Sequence, residues 1–158
     1  QIVSGNGAGG FEPERSITRE EFLKMLMNAL GIAISDIKDI TLSDVSSGDW
    51  CYPYIAKAME LGITSGISET EFGAGRAITR EDMSVLCTRA IDIMGRTLPQ
   101  AVPEETFTDE MQISSYAKDS VTQMQMAGVI DGYADGTFGP QNNATRAEAA
   151  KIICGMMN

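Results

Sequence analysis

The chain contains no histidine, which removes the side chain most used as a general base and as a metal ligand near neutral pH. Positive charge is scarce: 12 Lys and Arg face 22 Asp and Glu, for a net charge of −10. That field repels nucleic acid and anionic lipid at long range, so neither is an expected partner. No stretch reaches the roughly 18 to 20 apolar residues of a membrane-spanning helix, so no membrane insertion is expected. Cysteine is limited to Cys51, Cys87 and Cys154, an odd number without Cys-x-x-Cys spacing and so no disulfide framework. Cys87 and Cys154 fall within apolar faces of predicted helices, where a free thiol acts as a small hydrophobe, and both are expected to be inert core residues. Aromatic residues are only 6% of the chain, and none of the opening residues from Gln1 form a basic segment followed by an apolar one. The sequence therefore reads as a mature or excised piece.

What the chain does have is repetition. A Thr-Arg pair opens an amphipathic helix three times, at Thr18-Arg19-Glu20-Glu21, Thr79-Arg80-Glu81-Asp82 and Thr145-Arg146-Ala147-Glu148. Phe11, Phe72 and Phe138 each lie seven residues before their threonine, and the starts are 61 and 66 residues apart. One supersecondary unit recurs, and this periodicity constrains the architecture more strongly than any local pattern. With 158 residues, 43% of them hydrophobic and ten of them methionine, the length suits one domain with a core of helices packed on helices.

Each unit reads as helix, loop, helix. The front helix is predicted over 52–61 and 116–127, with Ile55, Ala58 and Met59, or Val121, Met124 and Ala127, at helical spacing. It should stop at Gly62 or Gly128, since glycine accepts the left-handed conformation of a helix end. The loop is rich in Gly, Ser and Asp, and Asp135-Gly136 is a turn signal. The rear helix carries a core stripe: Phe22, Leu26, Ala29 and Leu30 in one copy, Met83, Leu86, Ala90 and Ile91 in the next, Ala149, Ile152, Ile153 and Met156 in the last. Segments 33–41 and 96–106 read as linkers, and short pieces such as Ile63 or Val129-Ile130 are expected to form at most minor extended pairings. The boundaries follow: 1–40 is a partial repeat with only a rear half, 41–104 a second repeat and 105–158 a third.

Thr18, Thr79 and Thr145 are predicted N-caps, with the acid three residues on completing a capping box. The arginine has no such explanation, because a cation in the first helical turn opposes the macrodipole. Arg19, Arg80 and Arg146 could pair with a neighbouring acid, lay their stems on apolar surface or be solvated. Alternatively they complete an anion site built from helix N-terminal amides and a guanidinium fork.

Taken together, F-x-D, an aromatic, an apolar helix, G-[IV]-x-x-G, D-G-T-F-x-P and [IA]-T-R-x-E resemble the S-layer homology repeat. The third copy carries these elements as Phe107-Thr108-Asp109, Gly128-Val129-Ile130-Asp131-Gly132, Asp135-Gly136-Thr137-Phe138-Gly139-Pro140 and Ala144-Thr145-Arg146-Ala147-Glu148. Copy two departs from it with Glu69-Thr70-Glu71-Phe72-Gly73-Ala74, and copy one with Ala8-Gly9-Gly10-Phe11-Glu12-Pro13.

The resemblance implies an all-α fold in which helix-loop-helix repeats form a pseudo-threefold assembly around a central helical bundle, with ligand grooves between copies. It also implies a secreted, non-catalytic module that anchors a bacterial protein to the cell surface. Its partner would be an acidic secondary cell-wall polysaccharide, often carrying a pyruvylated sugar, bound without covalent chemistry, cofactor or metal. Under the resemblance Arg19, Arg80 and Arg146 face the acidic group. Trp50 and Tyr116 either stack on a sugar ring or anchor one copy to the next. Asp44 and Asp109 either accept sugar hydroxyls or cap the following segment, while Gly66 and Gly132, with Gly5 in the partial copy, permit close backbone approach or a turn. A homo-oligomer is expected if a partner supplies the front helix that copy one lacks.

Other readings are weaker. Asp131-x-Tyr133-x-Asp135-Gly136 resembles the start of a calcium loop, but Asn142 stands where the twelfth-position glutamate belongs. Glu20-Glu21 and Glu104-Glu105 are paired acids on which no other catalytic group converges. The principal alternative is a protein-interaction module for surface-lattice assembly or docking of another secreted protein.

Overall fold

The three threonines start the three rear helices. The computed structural model describes residues 10–157. The helices are α1 (Arg19–Ala29), α2 (Tyr52–Leu61), α3 (Arg80–Ile93), α4 (Lys118–Met126) and α5 (Arg146–Met157), with one 3-10 turn at Glu110–Gln112. Among the described residues, extended pairing is confined to isolated bridges, so the fold is all-α.

Thr18 and Thr145 each close a full capping box: their hydroxyls accept the Glu21 and Glu148 amides at 3.4 and 3.2 Å, and those glutamates accept the threonine amides at 3.1 and 2.8 Å. Thr79 accepts the Asp82 amide at 3.2 Å, but Asp82, one methylene shorter than glutamate, turns to Arg19 instead. Gly62 ends α2 with φ +80°, and Gly128 follows α4 with φ +66°. The front helix of the third repeat begins at Lys118 rather than Tyr116, because a turn closed by the Ala117 amide on the Ser114 carbonyl (2.9 Å) precedes it.

Each front helix packs on the rear helix of the repeat before it, α2 on α1 and α4 on α3, while α1 also meets α3 and α5. The residues just before the caps, Ile17, Ile78 and Ala144, are fully buried and joined in a closed ring. Ile78 N–H donates to the Ile17 carbonyl, Ala144 N–H to Ile78 and Ile17 N–H to Ala144, at 3.0, 2.9 and 3.0 Å. A second set binds the first helical amides: Arg19, Arg80 and Arg146 N–H donate to the carbonyls of Arg76, Asn142 and Arg15 at 2.9, 3.0 and 2.9 Å. Every repeat thus caps a neighbour's helix. Amides that a helix leaves orphaned find partners on another copy, which couples local capping to tertiary assembly. Phe22, Phe72 and Phe138 are the largest fully buried side chains of the surrounding core.

The upper bound set on extended pairing holds, and one expectation about the cysteines fails. The extended pairings are Ser16 with Thr145, Thr18 with Ala77 and Thr79 with Asn143, not at Ile63 or Val129-Ile130. The amides of Ile63 and Val129 instead turn back to the Ala58 and Met124 carbonyls at 2.9 and 3.0 Å, closing their own helix ends. Cys51 and Cys87 are buried, but Cys154 is exposed. It occupies the place on α5 that Thr88 holds on α3. Thr88 is covered by α4 through a 2.8 Å contact with Ser120, and no described helix covers α5 in the same way.

Candidate functional site

The three motif arginines are almost fully buried, with 6, 6 and 8% of Arg19, Arg80 and Arg146 exposed. Each reaches from its own helix start into the loop of another copy. Arg19 Nε donates to the Phe72 carbonyl at 3.2 Å, and its Nη1 meets Asp82 Oδ2 at 2.5 Å. Arg80 repeats this on the third copy, Nε to the Phe138 carbonyl at 2.8 Å and Nη1 to Glu148 Oε1 at 2.5 Å. Arg146 Nε donates to the Phe11 carbonyl at 2.9 Å, and its guanidinium lies 5.1 Å from the Phe11 ring centre. For Arg19 and Arg80 the cation that opposes its own helix dipole is therefore compensated by an acid in the first turn of the following rear helix, α3 or α5. Burial works to raise the Glu21 carboxyl, but the Arg15 hydrogen bond, the Thr18 amide and the charges of Arg15 and Arg146 outweigh it and hold the group below the usual range.

This arrangement revises one expectation. The helix starts do not present an open ring of amides, because the Arg19, Arg80 and Arg146 amides donate to neighbouring carbonyls and the Glu21, Asp82 and Glu148 amides to the threonine caps. Glu81 and Ala147 N–H also donate to the Pro140 and Pro13 carbonyls at 3.1 and 3.0 Å.

Asp44 and Asp109 sit beneath the same loops. Asp44 accepts the amides of Phe72, Gly73 and Ala74 at 3.0, 2.7 and 2.8 Å, and Asp109 those of Phe138 and Gly139 at 2.7 and 2.8 Å. They cap, but the segment capped lies about thirty residues on rather than immediately after. Burial alone would raise the Asp44 carboxyl; the three loop amides overcome it and leave the group lower than normal. The copy-two loop closes as the third does despite its altered sequence: Ile67 N–H donates to Glu71 at 2.9 Å, and Tyr133 N–H to Thr137 at 2.7 Å. Gly66 and Gly132 permit close approach. A Cβ would stand 2.4 Å from the Glu71 carbonyl oxygen at Gly66, and 2.9 Å from the Phe107 ring and the Thr137 carbonyl oxygen at Gly132. Gly5 lies outside the described residues.

Two grooves open beside the arginines. The larger, about 450 Å³, is lined by Arg19 from the first repeat, residues 64–67 with Asp82, Val85, Leu86 and Arg89 from the second, and Tyr116 from the third. The other, about 190 Å³, gathers Arg80, residues 129–133, Glu148, Lys151 and Ile152. The difference has a residue-level cause. Arg80 Nη2 donates to the Asp131 carbonyl at 3.0 Å, Tyr133 lies 4.7 Å from the guanidinium, and Lys151 binds the Asp131 carboxylate at 2.7 Å. Ser65, Ile67 and Val85 replace Asp131, Tyr133 and Lys151 in the larger groove, and there Arg19 Nη2 has no protein partner among the described residues.

The predicted site residues therefore divide. Arg19, Gly66 and Tyr116 converge on the larger groove, while Arg80 and Gly132 line the smaller. Trp50 is 53% exposed with Lys24 Nζ 5.1 Å from its ring centre, and it lines neither groove. Tyr116 has an exposed ring, and its hydroxyl lies 2.8 Å from Asp82 Oδ1 and 3.1 Å from Glu81 Oε1. Removal from water, reinforced by these carboxylates, pushes that hydroxyl well above its ordinary pKa and keeps it a donor. In the calcium-like segment, Asp131 is taken by Lys151 and Asp135 accepts the amide and hydroxyl of Thr137 at 3.0 and 2.7 Å.

Comparison with protein families matches the S-layer homology domain at residues 1–23, 41–84 and 106–150. The chain belongs to the S-layer homology family. It is 36% identical to an amylopullulanase of Thermoanaerobacterium thermosulfurigenes, over 99% of this chain and 8% of that protein. It is 33% identical to an endoglucanase of Bacillus sp. (strain KSM-635), over 97% and 16%, and 25% identical to a cellulosome-anchoring protein of Acetivibrio thermocellus, over 96% and 34%. The S-layer homology module thus spans a minor part of each relative. Family membership makes this a module of secreted, cell-surface proteins that serves in surface anchoring.

Repeat matching alone missed Asp82, Glu81 and Arg89. Glu81 is buried and receives the Ser114 amide and hydroxyl at 2.9 and 2.8 Å and Gln141 Nε2 at 2.5 Å, tying the second repeat to the third. Arg89 has Asn28 and Gly155 as its counterparts. Its signal was its singularity.

Proposed function

We propose that the module anchors its parent protein by holding an acidic, pyruvylated secondary cell-wall polysaccharide non-covalently in the groove between the first and second repeats. One observation carries this reading: the larger of the two grooves is walled by all three repeats and contains a buried guanidinium with a donor still open. A sugar needs such mixed surroundings, with apolar Val85 and Leu86 under its C–H faces and polar groups around its hydroxyls. The closed cycle of interrepeat hydrogen bonds supports the pseudo-threefold arrangement, which brings distant repeats to one groove. The smaller groove is already filled by Asp131, Tyr133 and Lys151 acting as internal ligands of Arg80 and its neighbours.

Sedimentation with wall sacs before and after extraction of the secondary polymer tests the proposal. Binding to intact sacs that disappears on extraction is expected. Binding that survives extraction, or transfers to a polymer-free surface protein, would replace it with the protein-docking function.

A further inference from the structure

Charge in the larger groove is unevenly distributed. Arg19 and Asp82 neutralise one another at 2.5 Å, so their pair offers hydrogen bonds without a net field. Arg89 also lines the groove, is exposed, and has no ion pair among the described residues. Asp82, Val85, Leu86 and Arg89 are spaced i, i+3, i+4, i+7 and form one strip of α3. The strip runs about 10 Å. Its Asp82 end carries Tyr116 and the open Arg19 Nη2, its middle is apolar, and its far end is cationic.

We infer that Arg89, rather than the motif arginine, holds the carboxylate of the bound wall sugar, which makes binding directional along α3. This rests on the function proposed above. The sugar's hydroxyls lie toward Tyr116 and Arg19, its apolar face covers Val85 and Leu86, and its acidic substituent points to Arg89. A chain of net charge −10 repels an anion at long range, so capture requires a local cation that no internal acid has neutralised. The smaller groove fits the same logic. Its equivalent strip on α5 is Glu148, Lys151, Ile152 and Gly155. The terminal position has no side-chain charge, and Lys151 is paired with Asp131.

The test measures affinity of the folded chain for purified secondary wall polymer, native and with its carboxylates converted to amides. Arg89→Gln is compared with Arg96→Gln, an exposed cation outside both grooves. A charge-assisted contact predicts about tenfold or greater weakening for Arg89→Gln on native polymer. The amidated polymer should bind both wild type and Arg89→Gln at that weakened level, while Arg96→Gln should behave as wild type. Thermal unfolding should be unchanged in Arg89→Gln, because the residue makes no internal pair. Wild-type binding that Arg89→Gln retains, or equal losses with Arg96→Gln, would overturn the assignment while leaving wall binding intact. No wild-type binding to either polymer would overturn both the assignment and the anchoring function on which it depends.

Discussion

Replacing Arg80 with methionine keeps the apolar stem and removes every guanidinium contact. The Phe138 and Asp131 carbonyls and Glu148 Oε1 would each lose a donor. Breaking a buried ion pair by removing one partner costs roughly 3 to 5 kcal/mol. The lower end applies here, because the Glu148 side chain is 25% exposed and retains its bond from the Thr145 amide. About 3 kcal/mol corresponds to a fall in Tm of about 6 to 12 °C for a domain of this length. Glu148→Gln keeps one acceptor oxygen, so only one of the Arg80 and Thr145 N–H donors retains its partner, and the change should cost about 1 to 2 kcal/mol. The double variant should be less destabilised than the sum of the two by about 1 kcal/mol or more, since the two groups share one contact. Urea unfolding followed by helical circular dichroism, with the m-value held constant, measures all three. An Arg80→Met variant within about 0.5 kcal/mol of wild type would refute the claim that this arginine locks the second repeat to the third.

Three further outcomes follow from the same geometry. Gly66→Ala places a Cβ 2.4 Å from the Glu71 carbonyl oxygen at φ +80°, so denaturant titration should show a loss of about 2 kcal/mol or more. Asp44 has a folded-state pKa below its unfolded value of about 3.9, so its stabilising contribution is complete above that pH and is lost as pH falls through the folded value. Thermal unfolding between pH 5 and pH 2.5 should therefore fall less steeply in Asp44→Asn than in wild type; parallel profiles would refute this. Cys154 should react with an aromatic disulfide reagent in the native protein, while Cys51 and Cys87 wait for unfolding; burial also raises the Cys87 thiol pKa.

Much of the fold was legible because its determinants are local. A threonine followed three residues later by an acid starts a helix whatever lies beyond, and glycine after an apolar run ends one. The route of each arginine was not legible, because the acceptors of Arg19 and Arg80 lie 53 to 68 residues away in another copy and that of Arg146 lies 135 away. Helix physics correctly marked Arg19 and Arg80 as anomalous in their own helices. It could not show that Asp82 and Glu148 resolve the anomaly across an interface. Asp44 and Asp109 were legible as caps but not as caps of loops nearly thirty residues distant. Cys154 failed for a related reason: an apolar stripe shows which residues can be buried, whereas the helix that does the burying belongs to another repeat.

Recurrence and singularity carry different information in such a cyclic chain. Every interface between copies has to be closed, so a residue that closes one is needed at each, and Arg19, Arg80 and Arg146 recur for that reason. A ligand needs only one competent groove. The features that distinguish the larger groove are accordingly those that the copies do not share: Ile67 where Tyr133 would lie over the guanidinium, Val85 where Lys151 would pair across the groove, and Arg89 where Asn28 and Gly155 carry no charge. Gly155 is also closely packed, since a Cβ there would stand 3.3 Å from the Val129 side chain, which would have to give by a few tenths of an ångström. The packing that closes the second groove and the charge that equips the first are therefore alternatives at equivalent positions, and the repeats are unequal because one fold accommodates both.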